Sequence, residues 1–248
     1  MKTSCLLVLL LFLYTPLSHA DFKDGGQAYL RGDYEAAAKE FFPLAERGDH
    51  RAMYALGSMY ASGQGVEKNL KISFELFTEA AKNGRADAMH KLGLMHEQGQ
   101  GISRNLKKAA RYYQKSAKKG YPLGQYRLGL LYLSGDGVKQ NSINAYAWLV
   151  IAGHYFIYNT FNPDDKNKDS NKQSQLLLYQ QQEKDRIFDD ITKHLQLIKT
   201  NMSIEEIEKT REKVIRLSKY RKKYHPDKIK NIKLESNIES LFLPDTLY

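Results

Sequence analysis

A short motif recurs in this chain at a constant interval of 36 residues. Ala-Leu-Gly at Ala55–Gly57 is followed by Lys-Leu-Gly at Lys91–Gly93 and by Arg-Leu-Gly at Arg127–Gly129. A fixed period of this size is typical of repeat proteins, in which each unit buries its apolar face only against its neighbours. The sequence therefore predicts a stack of similar units, and such stacks bind partners on extended concave surfaces.

Further recurring residues predict two helices in each repeat. In the middle copy, Gly93 lies inside an apolar helical stripe, where glycine costs about 1 kcal/mol relative to alanine and so indicates close helix contact. Gly99 and Gly101 follow where this helix should end, because glycine tolerates the left-handed conformation that stops a helix. Asn105 is a good N-cap for the second helix, which Gly120 ends.

The repeat resembles a known family. A copy such as Ala86–Ile102 followed by Asn105–Gly120 is similar to a Sel-1-like repeat, the 36-residue relative of the tetratricopeptide repeat. The resemblance implies an all-α fold, a right-handed α-α superhelix of about 3.5 helical hairpins, followed by a C-terminal pair of helices. It also implies a protein-interaction scaffold, and several similar bacterial proteins act in host-cell entry or envelope maintenance.

The two ends of the chain complete the predicted organisation. Lys2 precedes an unbroken apolar run of ten residues, Cys5–Tyr14, and Ala20 completes a signal-peptidase site, so we expect export to the periplasm or medium with cleavage after Ala20. An uncleaved anchor is the alternative, although the run is short for a bilayer. Cleavage would remove Cys5, the only cysteine, and leave a chain stabilised without disulfides.

The regions beyond the repeats differ in composition. The polar stretch Asn159–Ser174 predicts disorder. The pair Ser203 and Glu206 predicts a capping box at the start of a helix. The predicted regions are a signal peptide over 1–20, a repeat array over 21–153 (21–48 partial, then 49–84, 85–120 and 121–153), a disordered insertion over 154–175, capping helices over 176–223 and a basic irregular tail over 224–248.

The net charge of +10 is concentrated near the C-terminus. Lys199–Lys233 contains 12 Lys and Arg against 5 Asp and Glu. Such a segment can contact a polyanion, and in an exported protein a cell-wall or membrane-surface polymer is a better match than nucleic acid. An ordinary solvated helix face is the favoured interpretation and the polyanion contact the alternative, since acidic residues are interleaved with the basic ones.

Candidate catalytic and metal-binding residues are few. Ser116 and Lys119 have the Ser-x-x-Lys spacing of β-lactam hydrolases, an activity linked to some relatives of this repeat, but the companion motifs are absent. His90 and His96 replace tyrosines of the other repeats, and six residues apart they do not share a helix face as a metal pair would. We therefore predict no enzyme, no metal and no cofactor, and keep a cell-wall or β-lactam hydrolase as an alternative.

A second alternative rests on the tripeptide His225-Pro226-Asp227. It follows a basic helix and resembles the motif of J-domains, the Hsp70 co-chaperone module. The long third helix of a J-domain has no counterpart in Ile229–Tyr248. Pro226 also serves simply to end the helix before it.

The main prediction is a non-enzymatic exported scaffold that binds a protein or peptide on its concave face, in envelope maintenance or host interaction. In related solenoids the first helix of each repeat lines that face. The residues of these helices off the apolar stripe are Ala55, Ser58, Ser62, Lys91, Leu94, Gln98, Arg127, Leu130 and Ser134. Lys91 and Arg127 are in register and suit an extended peptide or an acidic helix.

Overall fold

The protein is described by a computed structural model that covers the backbone of residues 21–160 and 171–224. These residues form ten helices and no strand, which confirms the predicted all-α class. The helices are α1 (Phe22–Arg31), α2 (Tyr34–Glu46), α3 (His50–Ser62), α4 (Leu70–Lys82), α5 (Ala86–Gln98), α6 (Leu106–Lys118), α7 (Pro122–Ser134), α8 (Ser142–Thr160), α9 (Asn171–Thr200) and α10 (Ile204–Tyr224). The chain divides into two compact units between Lys68 and Asn69.

The N-terminal unit contains α1, α2 and α3, each packed against the next. Gly32, with a φ of +83°, ends α1, and the Asp33 side chain accepts a hydrogen bond of 3.1 Å from the Ala36 N–H at the start of α2. A tight turn at Gly32 and Asp33 therefore joins α1 to α2. Gly25 lets the helices approach closely, because a Cβ there would lie 2.6 Å from Cε1 of Phe41.

In the C-terminal unit the asparagines begin the second helix of each repeat as predicted. The Oδ1 atom of Asn105 accepts a hydrogen bond of 2.9 Å from the Lys108 N–H. Asn69 and Asn141 make the equivalent bonds at 3.1 Å and 2.8 Å. Each bond satisfies one of the N–H groups that a helix start leaves without an intrahelical partner.

The paired glycines end the first helices and support contact between repeats. Gly99 has a φ of +73° and ends α5, as predicted. Gly101 has a φ of +70°, and a Cβ on it would lie 2.6 Å from the Cβ of Leu70, the first residue of α4. Gly137 approaches the backbone of Leu106 in the same way. The second glycine is therefore needed both for its conformation and for its contact with the preceding repeat.

Glycines within the first helices allow the two helices of a repeat to pack closely. A Cβ on Gly93 would lie 2.5 Å from Cε1 of Tyr113, and one on Gly129 would lie 2.8 Å from Cγ of Leu149. Tyr113 and Leu149 are fully buried. The close contact predicted from the repeated Leu-Gly is confirmed at both positions.

The predicted disordered insertion over 154–175 is wrong at both of its ends. Helix α8 continues past Gly153 to Thr160, and α9 already begins at Asn171; residues 161–170 lie outside the described residues. Gly153 resembles the helix-ending glycines of earlier repeats but serves another purpose. A Cβ on it would lie 3.2 Å from Cγ2 of Ile191, so it is a contact point between α8 and α9.

Helices α9 and α10 both pack on α8. As a result, every residue from Ala145 to Ala152 is buried. The predicted capping box opens α10: the Ser203 N–H donates to the Glu206 carboxylate at 2.9 Å, and the Glu206 N–H donates to Ser203 Oγ at 3.2 Å. The predicted signal peptide and the His225–Asp227 motif lie outside the described residues. Among the helices that are described, none has the length and apolar character to cross a bilayer.

Candidate binding surface

The predicted binding residues of the C-terminal unit come from two helices in contact, α5 and α7. Lys91 and Leu94 are half-buried on α5, and Arg127 and Leu130 are half-buried on α7. Each helix also contributes one exposed polar side chain. We use the term α5–α7 surface for the six predicted residues Lys91, Leu94, Gln98, Arg127, Leu130 and Ser134.

The predicted residues of the N-terminal unit lie on α3 and carry no charge. Ala55 and Ser58 are half-buried and Ser62 is exposed. Ser58 Oγ donates to the Tyr54 carbonyl at 3.1 Å, and Ser62 Oγ donates to the Ser58 carbonyl at 3.0 Å. Both hydroxyl protons are therefore used within the helix. A partner would contact these three residues through their shape more than through hydrogen bonds.

Lys91 is the most unusual charge on the α5–α7 surface. Burial lowers the pKa of its ammonium group, an effect that Asp87 partly opposes. Lys91 makes no hydrogen bond or ion pair with any residue that the structure describes. Charged groups removed from water are normally paired. An anionic ligand would supply the partner that this ammonium group lacks.

Arg127 is oriented by its neighbours without being saturated by them. Its Nη1 atom lies 4.0 Å from Oε1 of Glu97, which is longer than a hydrogen bond. The guanidinium group also lies 5.9 Å from the ring centre of Tyr126. The other carboxylate oxygen of Glu97 accepts a hydrogen bond of 2.5 Å from the Tyr113 hydroxyl. Arg127 therefore has hydrogen-bond donors that no described residue satisfies.

His90 lies beneath these two cations. It is 5% exposed, and its ring centre is 5.6 Å from that of Tyr113 and 5.4 Å from that of Tyr121. Burial, reinforced by the positive charges of Lys91 and Arg127, lowers the pKa of His90 to about 3. The Nδ1 atom has no hydrogen-bond partner within the described part of the chain. His90 is therefore a packing residue among aromatic rings.

His96 is also a packing residue. Its ring stacks on that of Tyr112 at 5.5 Å and meets the ring of Phe74 edge-on at 5.7 Å. Burial lowers the pKa of His96. Over residues 21–155 and 181–217, whose side chains the structure describes, no group of three His, Cys, Asp or Glu side chains is arranged to hold a metal ion.

One contact beside Arg127 had no signal in the sequence. The Tyr126 hydroxyl donates a hydrogen bond of 2.5 Å to the carboxylate of Asp190 on α9, and burial raises the pKa of this hydroxyl. His194 Nδ1 lies 3.3 Å from the same carboxylate. Tyr126 and Asp190 are 64 residues apart. Neither repeat periodicity nor motif spacing connects them.

The alternative nucleophile Ser116 is inaccessible. Its exposed fraction is 0%, and its Oγ donates a hydrogen bond of 2.7 Å to the Ala86 carbonyl. Gly124 packs directly against this hydroxyl. Ser116 therefore joins α5, α6 and α7 as a structural residue, in agreement with its equivalence to the buried Ala80.

Comparison with known proteins agrees with this architecture. A family model described as Sel1 repeat matches residues 50–84, 86–121 and 122–153. The fold and these matches define a helical-repeat protein. More particularly, the chain contains three Sel1 repeats, and proteins built from this repeat are generally non-catalytic scaffolds for protein interaction.

Two solved structures resemble the chain. A Sel1 repeat protein from Oxalobacter formigenes is 28% identical with a TM-score of 0.52, over 60% of this chain and 64% of that one. The protein c5321, a protective antigen of uropathogenic Escherichia coli strains that displays an SLR fold, is 22% identical with a TM-score of 0.52, over 76% of this chain and 44% of that one. The chain thus spans less than two thirds of either structure. No curated protein matches it.

Proposed function

We propose that this protein is a non-enzymatic scaffold that binds an acidic protein segment on the α5–α7 surface. The observation that carries the proposal is the half-buried, unpaired ammonium group of Lys91 on a helix that packs directly against the helix of Arg127. Two cations on neighbouring first helices form a site whose charge a bound carboxylate would balance. The sequence placed both at the same repeat position.

The surroundings of the two cations favour a peptide over a small anion. Leu94 and Leu130 are half-buried one helical turn beyond Lys91 and Arg127 and pack against the core. An extended or helical segment with an acidic residue followed by an apolar one would use both features. Arginine also binds carboxylates through two parallel hydrogen bonds, which adds directional specificity. On the N-terminal unit, the small, uncharged residues Ala55, Ser58 and Ser62 of α3 are a separate candidate contact surface.

We further propose that the protein acts after export, in the periplasm or outside the cell, in envelope maintenance or host contact. The support for export is the N-terminal segment. It contains Lys2, the apolar run Cys5–Tyr14 and the small residues before Asp21, as a signal peptide does. The E. coli protein of similar fold is described as a protective antigen. The basic segment Lys199–Lys233 would give additional contact with an envelope polyanion.

Cross-linking in the source cell followed by a pull-down tests the binding proposal. Lys91→Glu/Arg127→Glu should remove the specific partner, because it replaces two attractive charges by two repulsive ones. Lys71→Glu/Lys82→Glu changes the net charge equally on exposed residues of α4 and should retain the partner. The uncharged variant Lys91→Met/Arg127→Met removes both cations without placing acidic groups at half-buried positions. Loss of the partner in this variant therefore reports lost binding and not lost folding. An unchanged partner set in the charge-reversed variant would contradict the proposal.

Two assays address the alternatives. A fluorescent penicillin should leave the protein unlabelled; a covalent label that disappears in Ser116→Ala would contradict a non-enzymatic role. The ATPase of an Hsp70 should be unaffected by the protein; stimulation that His225→Gln abolishes would instead identify a chaperone partner.

A further inference from the structure

The outward face of α6 carries only cations and one glutamine. Its exposed charged side chains are Lys107, Lys108, Arg111, Lys115 and Lys118, and the helix contains no acidic residue. The opposite face is buried and consists of Ala109, Ala110, Tyr113, Ser116 and Ala117. We call these five cations the α6 strip. At 1.5 Å per residue, the strip is roughly 17 Å long, with neighbouring charges about 6 Å apart along each row.

The charges of the α6 strip are uncompensated. None of the five forms an ion pair with a residue that the structure describes, and Lys115 makes one favourable contact, with its ammonium group 5.7 Å from the ring centre of Tyr112. Lys107 and Arg111, and likewise Arg111 and Lys115, are four residues apart. Like charges at this spacing repel and destabilise a helix. A bound anion would remove this repulsion.

The repeat fold does not require this arrangement. Helix α4 occupies the same place in the preceding repeat and carries Lys71, Glu75, Glu79 and Lys82 at the positions of Lys107, Arg111, Lys115 and Lys118. Its charges balance, and Lys82 Nζ lies 2.6 Å from Glu79 Oε1. In the following repeat, the equivalent residues Ala147 and Ile151 are buried. The cationic face is therefore specific to one helix.

We propose that the α6 strip binds an acidic helix of a protein partner, at a site separate from the α5–α7 surface. Such a helix would carry four carboxylates, the last three lying four, eight and eleven residues after the first. Each carboxylate would then lie beside one of the cations Lys107, Arg111, Lys115 and Lys118. A bilayer is a poorer match, because the strip exposes no apolar side chain to insert between lipids. Single-stranded nucleic acid is also a poorer match for base stacking, since the Tyr112 ring beside the strip is half-buried and already stacks on His96.

The test measures binding of a labelled, alanine-rich helical peptide of about 20 residues that carries glutamates at these four positions, by fluorescence anisotropy in about 50 mM salt, where screening is weak. A peptide with the same composition but with glutamates spread around the helix should bind more weakly. Arg111→Glu/Lys115→Glu installs the residues that α4 carries at these positions, so folding should be retained. It should weaken binding of the patterned peptide about tenfold.

Matched variants decide the outcome. Lys71→Glu/Lys82→Glu makes the same change in net charge and should alter the affinity by less than about twofold. Lys91→Glu/Arg127→Glu removes any binding of the peptide at the α5–α7 surface, so binding that remains in this variant and is lost in Arg111→Glu/Lys115→Glu belongs to the α6 strip. Failure of this proposal and failure of the proposed function are therefore distinguishable. The proposal is overturned if all three variants lose binding equally, or if the strip binds anionic vesicles or an oligonucleotide more tightly than the patterned peptide. Circular dichroism of each variant, including the uncharged Arg111→Gln/Lys115→Gln, shows whether the variant is folded. It thereby excludes unfolding as the cause of weaker peptide binding.

Discussion

His90 shows how one residue changes the chemistry of a repeat without changing its packing. The equivalent position holds Tyr54 and Tyr126 in the neighbouring repeats, and the imidazole ring likewise lies among aromatic rings. Unlike tyrosine, histidine takes up a proton in mildly acidic solution when it is exposed to water. In the folded protein, burial of the imidazole and the nearby charges of Lys91 and Arg127 oppose uptake of that proton.

The protein should therefore lose stability in acid through His90. Its pKa is about 3 in the folded protein against 6.5 ordinarily, so below pH 6.5 the unfolded chain takes up a proton that the folded chain does not. This contribution is fully present above pH 6.5 and is lost as pH falls from 6.5 toward 3, by about 2 kcal/mol between pH 7 and pH 5. Urea unfolding at the two pH values should show this loss reduced in His90→Tyr. An equal loss in both proteins would contradict the prediction.

Gly93 illustrates a second residue-scale constraint. Gly93→Ala should lower the free energy of unfolding by about 1–3 kcal/mol, because its Cβ would lie 2.5 Å from the buried Tyr113 ring. Gly26→Ala is the matched control in α1, where a Cβ would meet nothing within 4 Å. It should stabilise the protein by up to about 1 kcal/mol through helix propensity. Thermal unfolding of both variants distinguishes a packing requirement from a general effect of glycine.

At the scale of elements, α8 changes character along its length. Its start follows the repeat pattern, with Asn141 as the N-cap. From Ala145 to Ala152 it is then buried on all sides, because α9 and α10 cover the surface that a further repeat would otherwise cover. The terminal helix pair thus completes the core of the C-terminal unit. A helix that is apolar all round is stable only inside such a core.

Ile191 tests the covering of α8 by α9. Its exposed fraction is 0%, and Ile191→Ala should cost about 2–5 kcal/mol of stability by leaving a cavity beside Gly153. Ile204→Ala is the control, since Ile204 is 83% exposed at the start of α10 and its loss should have little effect. Trp148 is the only tryptophan and is 7% exposed, so its fluorescence reports unfolding of this core directly. Equal stability of the two variants would contradict the role assigned to α9.

For the whole molecule, the excess positive charge has two distinct locations. One is the C-terminal segment Lys199–Lys233, evident in the sequence as a run of basic residues. The other is the α6 strip, which becomes evident when the helix is compared with α4. Both locations would attract polyanions at long range. Among the side chains that the structure describes, the α6 strip is a regular row of cations without ion pairs along one helix.

Export is the prediction that concerns the whole chain. Protein recovered from the cell envelope or medium of the source cell should begin at Asp21, because Ala20 completes the signal-peptidase site. Mass spectrometry of the intact protein distinguishes this form from the full-length one. Substituting Leu9→Arg in the apolar run should keep the protein in the cytoplasm at its full mass. Recovery of an unprocessed chain from the cytoplasm of wild-type cells would contradict export.

The sequence by itself determined the helical-repeat architecture, the helix ends at Gly99 and Asn105, and the capping box at Ser203. Each of these depends on residues within one or two turns, or on a periodicity that the chain repeats. The tertiary structure decided that Gly153 lies inside a helix, that Asp190 meets Tyr126, and that α9 and α10 enclose α8. It also decided the electrostatic state of His90 and Lys91. These features arise where residues far apart in the chain meet and exclude water, and no local pattern records that meeting.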